Sequence, residues 1–293
     1  MAIGGGSAID LAKAAAAMTT NRQSDTVQDY FEGVGRGLKI NVSPLPMLAI
    51  PTTAGTGSEA TKNAVISSTD PPFKKSLRSE QMVPRAVLVD PELTVSCSPS
   101  VTAHSGMDAI TQCIESYVSR KAKPIAAALA LQGLQLAMPA LGEAVERPES
   151  QTAREAMAQA ALLSGMALAN SGLGMAHGVA AALGVHCNVP HGLACAVMLP
   201  TALRINAVSC PGRFAEMARA VGITSHPGDA VDAFVNRIEE LCVRVGIPGK
   251  LSEIGVPSDA IPAIVRGSRG NSMDGNPRQL TDAELSDILE AML

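Results

Sequence analysis

Up to about Asp90 the chain alternates short apolar or β-branched runs with loops of glycine, proline and threonine, the pattern of strands joined by turns. Pro46 to Ile50, Asn63 to Ser67 and Ala86 to Val89 read as strands. Met1-Ala2-Ile3 runs straight into Gly4-Gly5-Gly6-Ser7, which reads as the end of a strand entering a loop, with a helix from Ala8 to Met18 behind it and Asp10 in the first turn. Beyond Pro99 the pattern changes to long Ala/Leu/Met segments at helical spacing, broken at Pro124, Pro139, Pro190, Pro200, Pro211 and Pro227. The expectation is an α/β domain over residues 1–95 followed by an all-helical domain over 96–293. So short a strand at the terminus is a poor sheet member, so the α/β domain is expected to be incomplete at its N-terminus, either through a late gene start or a real shortening.

Composition refines this picture in three places. Apolar residues make up 46% of 293, but Trp is absent and Tyr and Phe number only 2 and 4, so the core must be built from small aliphatic side chains on closely packed helices. A net charge of -4 with no Lys/Arg-rich run gives no attraction to phosphate backbones or anionic lipids, which argues against nucleic acid as a partner. The six cysteines contain no C-x-x-C pair and sit in apolar segments, which reads as reduced, buried thiols in a cytoplasmic protein. The longest apolar stretch, Ile125 to Leu141, carries Gln132 and Gln135 and reads as too short to span a membrane, so no membrane association is expected.

Three segments carry candidate chemistry. Gly4-Gly5-Gly6-Ser7 lets backbone approach a bound group and points helix N-terminal amides at an anion such as a pyrophosphate, although a purely structural turn has the same composition. Pro51-Thr52-Thr53-Ala54-Gly55-Thr56-Gly57-Ser58-Glu59 packs four hydroxyls and two glycines behind a buried strand, offering donors to phosphate or ribose oxygens; an ordinary polar turn is the competing reading. In Gly106 to Glu115, Asp108 and Gln112 stand four apart and share a helix face. His177 and His191 lie downstream in apolar helical surroundings, where a histidine is either a satisfied core residue or, joined with Asp108, part of a divalent-metal site of nitrogen and oxygen donors.

In order, GGGSAIDLAKAAA, PTTAGTGSEAT, DPELTVSCSPSVTAHSGMDAITQCIE and GLGMAHGVAAALGVHCNVPHGLACAVMLP resemble the motifs of the iron-containing (group III) alcohol dehydrogenase family, and SMDGNPRQLTDAEL resembles its closing helices. The resemblance implies the dehydroquinate synthase-like architecture, a nucleotide-binding α/β domain joined to a helical domain with cofactor and metal meeting between them. It further implies that Gly5, Gly6 and Ser7 hold the pyrophosphate of NAD or NADP with Asp10 beside them. Thr52, Thr53 and Thr56 would line the phosphate and nicotinamide side, with Asn63 and Lys75 as further contacts and Lys74 as the other match for the lysine. The implied metal set is Asp108, Gln112, His177 and His191, with Fe2+ expected ahead of Zn2+, and Asp108, His177 and His191 as the catalytic donors.

Departures from the family pattern bear on that set. Gln112 stands where many members have histidine, which replaces an imidazole with a harder and weaker amide oxygen. His104, one turn before Asp108, either replaces it or caps the helix; Ala181 stands where the family often has a histidine near the nicotinamide. The activity implied is metal-dependent hydride transfer between a small or primary alcohol or its aldehyde and NAD(P). Two readings compete with it: a truncated, catalytically impaired paralogue or binding protein, and a related reductase of a small keto acid or polyol. A homodimer or larger homo-oligomer is the expected assembly.

Overall fold

The structure, a computed structural model, describes residues 1–293 except Glu32, Pro71, Ser225 and Pro227, and except the side chains of Thr69 and Pro72. The break expected at Pro227 therefore lies outside the described residues. Among the described residues, five strands precede Pro91: β1 (Ala2–Gly4), β2 (Leu48–Pro51), β3 (Asn63–Thr69), β4 (Pro72–Arg78) and β5 (Ala86–Val87). The first helix, α1 (Gly6–Thr20), crosses between β1 and β2. Strands β1, β2 and β5 form a parallel sheet in the order β1-β2-β5, with Ile3 opposite Ile50 and Ala49 opposite Val87. Strands β3 and β4 form a separate antiparallel hairpin, in which Asn63 pairs with Arg78 and Ile66 with Lys75.

This topology places the chemistry. Because β1 and β2 are parallel neighbours, the loops leaving their carboxyl ends emerge at one edge of the sheet, the edge where open α/β sheets bind ligands. Thr52 N–H donates to Gly4 O at 3.0 Å and ties the two loops together. Helix α1 fills the sheet with Ile9 and packs Ala14 and Ala17 against a second cluster of Phe31, Phe73, Leu77 and Met82 contributed largely by the hairpin. Asp10 lies beyond the first turn of α1, contrary to expectation, because the helix begins at Gly6, ahead of Ala8.

The rest of the chain is helical: α2 (Pro99–Val118), α3 (Pro124–Glu146), α4 (Gln151–Ala169), α5 (Met175–His186), α6 (His191–Ala207), α7 (Pro211–Ala220), α8 (Ala230–Arg244), α9 (Ile261–Gly267) and α10 (Asp282–Glu290). One continuous core runs through them, from Met107 and Ile110 on α2 to Leu285 and Leu289 on α10. Proline marks helix starts as expected at Pro124 and Pro211, and Pro190 is the residue before α6. Pro139 and Pro200 do not break their helices but lie inside α3 and α6. A helix-interior proline costs about 3 kcal/mol in isolation; burial of both flanks, through Ala137 and Leu141 around Pro139 and Leu199 and Leu203 around Pro200, outweighs it.

Helix α3 is also longer and more apolar than the sequence reading allowed: at 23 residues and a mean hydropathy of 1.5 it meets the length and composition of a membrane span. Here it packs between α2 and α4, burying Ala126, Ala130, Leu134, Ala137 and Leu141, which accounts for the same apolarity. All six cysteines are free, and Cys113, Cys195 and Cys242 are buried, whereas Cys97, Cys187 and Cys210 are half-buried rather than buried as expected.

Candidate metal centre and cofactor loops

Ser98 caps α2 by accepting from Val101 N, with Pro99 at the first helical position, and this start sets the register of the whole helix. Asp108, Gln112 and Glu115, spaced four and three apart, then share one buried face. Helix α5 arrives there by its N-terminus. Gly174 has no capping side chain, and the Glu115 carboxylate takes that role from another helix, accepting from Gly174 N at 3.0 Å, Ala176 N at 2.7 Å and His177 N at 3.3 Å. The same carboxylate accepts from His177 Nδ1 at 2.8 Å, which fixes the ring with Nε2 facing Asp108. His191 opens α6, and Cys195 stands one turn further along the same face.

The result is a tight cluster. Single donor atoms from Asp108, His177, His191 and Cys195 all lie within 4.8 Å of one another. His177 Nε2 is 3.2 Å from Asp108 Oδ1, and His191 Nε2 is 3.9 Å from the same oxygen. Asp108 Oδ1 and His177 Nε2 are nonetheless both buried without an aligned hydrogen-bond partner. Two polar atoms that close without an aligned bond between them suit a common third partner. Leaving them unsatisfied would cost about 1–3 kcal/mol each, so the donor set fits a shared cation.

Electrostatics agree. Burial alone would raise the Asp108 pKa, but the two imidazoles beside it outweigh burial and hold the carboxyl below its ordinary range. Burial alone would lower His177; the sulfur of Cys195 and the carboxylates of Asp108 and Glu115 hold it well above instead. The pocket is thus built to keep positive charge between those acids. His191 is pushed down by desolvation and by the charges of Lys74 and His177, even with 32% of its side chain open to solvent.

The remaining predicted residues are distributed around this cluster. Gly5 is the residue before α1, and no side chain caps the helix, so the amides of Gly6 and Ser7 face outward without intrahelical acceptors. A methyl group at Gly6 would lie 2.5 Å from Thr56 Oγ1, so the glycine and threonine loops meet there. Thr52, Thr53 and Thr56 are partly open at the edge of the sheet where both loops emerge. Asn63 begins β3 and its carbonyl accepts from Lys13 Nζ at 2.7 Å.

Three placements depart from expectation. Asp10 does not face the pyrophosphate loop: its carboxylate accepts from Ser58 Oγ and from Val65 N at 3.0 Å and pairs with the buried Lys13, anchoring the threonine loop and hairpin to α1. Lys75 is exposed on the hairpin, on the face of Phe73 and Leu77, while Lys74 lies on the opposite face, toward α5 and near enough to His191 for its charge to act on that ring. Gln112 spends its amide nitrogen on Thr56 O at 3.1 Å and Ser164 Oγ at 2.8 Å, linking the threonine loop to α2 and α4. His104 is half-buried with its backbone against Gly192 and takes no part in the cluster. Sequence reasoning missed Glu115 and Cys195; Glu115 did carry a signal, seven residues after Asp108 on the same helix face.

Residues 102–293 match the Fe-containing alcohol dehydrogenase family, C-terminal, and residues 1–91 match Iron-containing alcohol dehydrogenase. The chain belongs to the iron-containing alcohol dehydrogenase family. Long-chain-alcohol dehydrogenase 1 of Geobacillus thermodenitrificans is 35% identical over 99% of this chain and 73% of its own length. The crystal structure of a 1,3-propanediol oxidoreductase superposes with a TM-score of 0.92 at 34% identity, covering 99% of this chain and 76% of the other. A sulfoacetaldehyde reductase from Bifidobacterium kashiwanohense, solved in complex with NAD+, gives 0.89 at 34% identity, covering 99% and 75%. An iron-containing alcohol dehydrogenase is a metal-dependent, nicotinamide-linked oxidoreductase, and the α/β part followed by a helical part agrees with the architecture these structures share.

Proposed function

We propose that Asp108, His177 and His191 hold a divalent cation, Fe2+ by family and Zn2+ by donor type, and that the chain transfers hydride between a small or primary alcohol, or its aldehyde, and NAD or NADP. The observation that carries this reading is the pair of buried, unaligned atoms, Asp108 Oδ1 and His177 Nε2, that converge with His191. Bound there, the cation supplies Lewis acidity to the alcohol oxygen, and the nicotinamide accepts the hydride.

The protein's own part is alignment and support. Asp108 and His177 are the buried, fixed donors; His191, with part of its ring exposed, stands on the side that substrate reaches. Glu115 holds the His177 ring by Nδ1, which keeps Nε2 free for the cation. Gly5, Gly6 and Ser7 offer amides to the cofactor pyrophosphate, and Thr52, Thr53 and Thr56 offer hydroxyls and amides beside them. Asn63 is a further contact, and Lys74 takes the place first assigned to Lys75 because it is the lysine on the site's side of the hairpin. Gln112 couples the two halves of the site by holding Thr56 O from the helix that carries Asp108.

The division of labour between the loops and the helical cluster supports a boundary between residues 95 and 96. Free cysteines throughout suit a cytoplasmic protein, and a homo-oligomer is the assembly we expect.

The test is NAD(P)+ reduction by the metal-loaded protein on a panel of primary alcohols, with metal content measured in parallel. Asp108→Ala is expected to abolish turnover and stoichiometric metal while the far-UV circular dichroism stays native; full turnover in that variant would end the assignment.

A further inference from the structure

We propose that Cys195, as a thiolate, supplies the fourth donor to the cation held by Asp108, His177 and His191, so that the centre is a one-sulfur, two-nitrogen, one-oxygen site. The proposal rests on the metal assignment made above and adds a ligand that the family resemblance does not provide; that resemblance places Gln112 in the set.

The geometry points to sulfur. Helix α6 presents His191 and Cys195 one turn apart, and Cys195 Sγ is 3.8 Å from His191 Nε2 and within 4.8 Å of the donor atoms of Asp108 and His177. Metal–ligand bonds of about 2.0–2.3 Å in a tetrahedron place donors roughly 3.3–3.8 Å apart. Three of the six distances among these atoms, 3.2, 3.8 and 3.9 Å, lie close to that range, and the others stay within 4.8 Å, so the donors draw together when the cation binds.

The direction of the thiol sets it apart from the other polar contacts cysteines make here. Cys97 donates to Thr52 O at 3.3 Å and Cys210 to Asn206 O at 3.4 Å, each a backbone carbonyl. Cys195 is fully buried and its sulfur lies beside a histidine nitrogen inside a cluster whose residues carry three buried atoms without a hydrogen-bond partner, Asp108 Oδ1, His177 Nε2 and His191 Nδ1. Gln112 commits its amide nitrogen to Thr56 O and Ser164 Oγ, which ties that side chain to the threonine loop and α4.

Binding converts Cys–SH plus M2+ to Cys–S–M+ with one proton released to solvent, and no atom changes oxidation state. A thiolate beside two imidazoles and a carboxylate selects Zn2+, Co2+ and Fe2+ over Mg2+ and Mn2+. Apolar packing is the other use of a buried cysteine, and it predicts no spectroscopic consequence.

Cobalt distinguishes these. The full chain, stripped of metal with a chelator, is titrated with Co2+ and read for thiolate-to-cobalt charge transfer in the near ultraviolet and for the visible bands of a four-coordinate ion. The wild type is expected to show both, and Gln112→Ala to retain the charge-transfer band. Cys195→Ser, nearly isosteric, and Cys195→Ala are expected to lose that band and to hold cobalt at least about tenfold more weakly in chelator competition. Stoichiometric cobalt without a charge-transfer band in the wild type, or a band that survives in either Cys195 variant, overturns the sulfur ligand and leaves the three-donor site standing. Failure of the folded wild type to bind cobalt at all overturns both.

Discussion

Replacing Glu115 by glutamine changes one atom of the side chain and reverses the sense of its hydrogen bonds. The carboxylate accepts from three backbone N–H groups at the start of α5 and from His177 Nδ1, all within 3.3 Å. Glutamine offers one oxygen and one NH2, so at least one oxygen that now accepts is replaced by a donor facing donors. Two effects follow. Helix α5 loses the charge that caps it, a loss on the order of 1–2 kcal/mol with a partly buried dipole. His177 loses the partner that fixes its tautomer, and outer partners of metal-bound histidines typically contribute ten- to hundredfold in affinity, about 1.4–2.7 kcal/mol. The assay is competition for Zn2+ against a chromophoric chelator, run beside urea unfolding of the apoprotein. A merely structural Glu115 would lower the apoprotein midpoint and leave zinc affinity of the folded fraction untouched. Weaker zinc binding by about tenfold or more in protein shown to be folded is expected; affinity within twofold of wild type would refute the argument that this carboxylate positions His177.

Two further predictions concern the cofactor side. Gly57 has a φ of 59° and its backbone meets Gly165 of α4 so closely that a methyl group on Gly165 would lie 2.2 Å from Gly57 O. Gly165→Ala must therefore push the threonine loop away from α4, at a cost of about 1–3 kcal/mol or more, and is expected to raise KM for the nicotinamide while sparing metal content; an unchanged KM would show that the loop tolerates the shift. Burial lowers the pKa of Lys13 from 10.5 to about 8 against the opposing pull of Asp10. A lysine lowered on folding binds fewer protons folded than unfolded between those values, so its burial opposes folding most at and below pH 8 and the penalty fades as pH rises. Of a total near 3 kcal/mol, roughly 1 kcal/mol is recovered between pH 8 and pH 9, while buried thiols such as Cys113, pushed up to about 12, act in the opposite sense over the same interval in the wild type and in Lys13→Met alike. The stability of the wild type relative to Lys13→Met, by urea unfolding, should rise by roughly 1 kcal/mol across that interval; parallel profiles would contradict the assignment.

What the sequence disclosed and what it hid follow one physical division. Relations within a single element were legible. The spacing of Asp108 and Gln112 gave a shared helix face, and glycine and threonine behind apolar runs gave the two loops, because side-chain direction within a helix or strand is a fixed function of residue number. Relations between elements were legible only where the family motifs carried them. Glu115 caps a helix that begins 60 residues later, and Cys195 was one of six cysteines in apolar surroundings with nothing to mark it until α6 was set beside α2. The prolines show the same limit from the other side. Pro139 and Pro200 read as breaks because local cost was all the sequence displayed, whereas the packing that tolerates them comes from helices far along the chain.

That division also explains why the residues around the cation can differ from the family pattern without dispersing the site. Asp108, His177 and His191 are held by different elements, and their convergence depends on supports outside the donor set: Ser98 starting α2, Glu115 capping α5 and Pro190 preceding α6. Glutamine at position 112, where the family resemblance implies a histidine in many members, therefore leaves in place the frame that aims the other donors. On the proposal above, the side chain that takes the fourth bond comes from the same frame, the Cys195 thiol one turn after His191 on α6. On this view the metal preference of the centre is set by which residue stands one turn after His191, and the position of the cation by the Glu115 carboxylate, two features that can be altered independently by single substitutions.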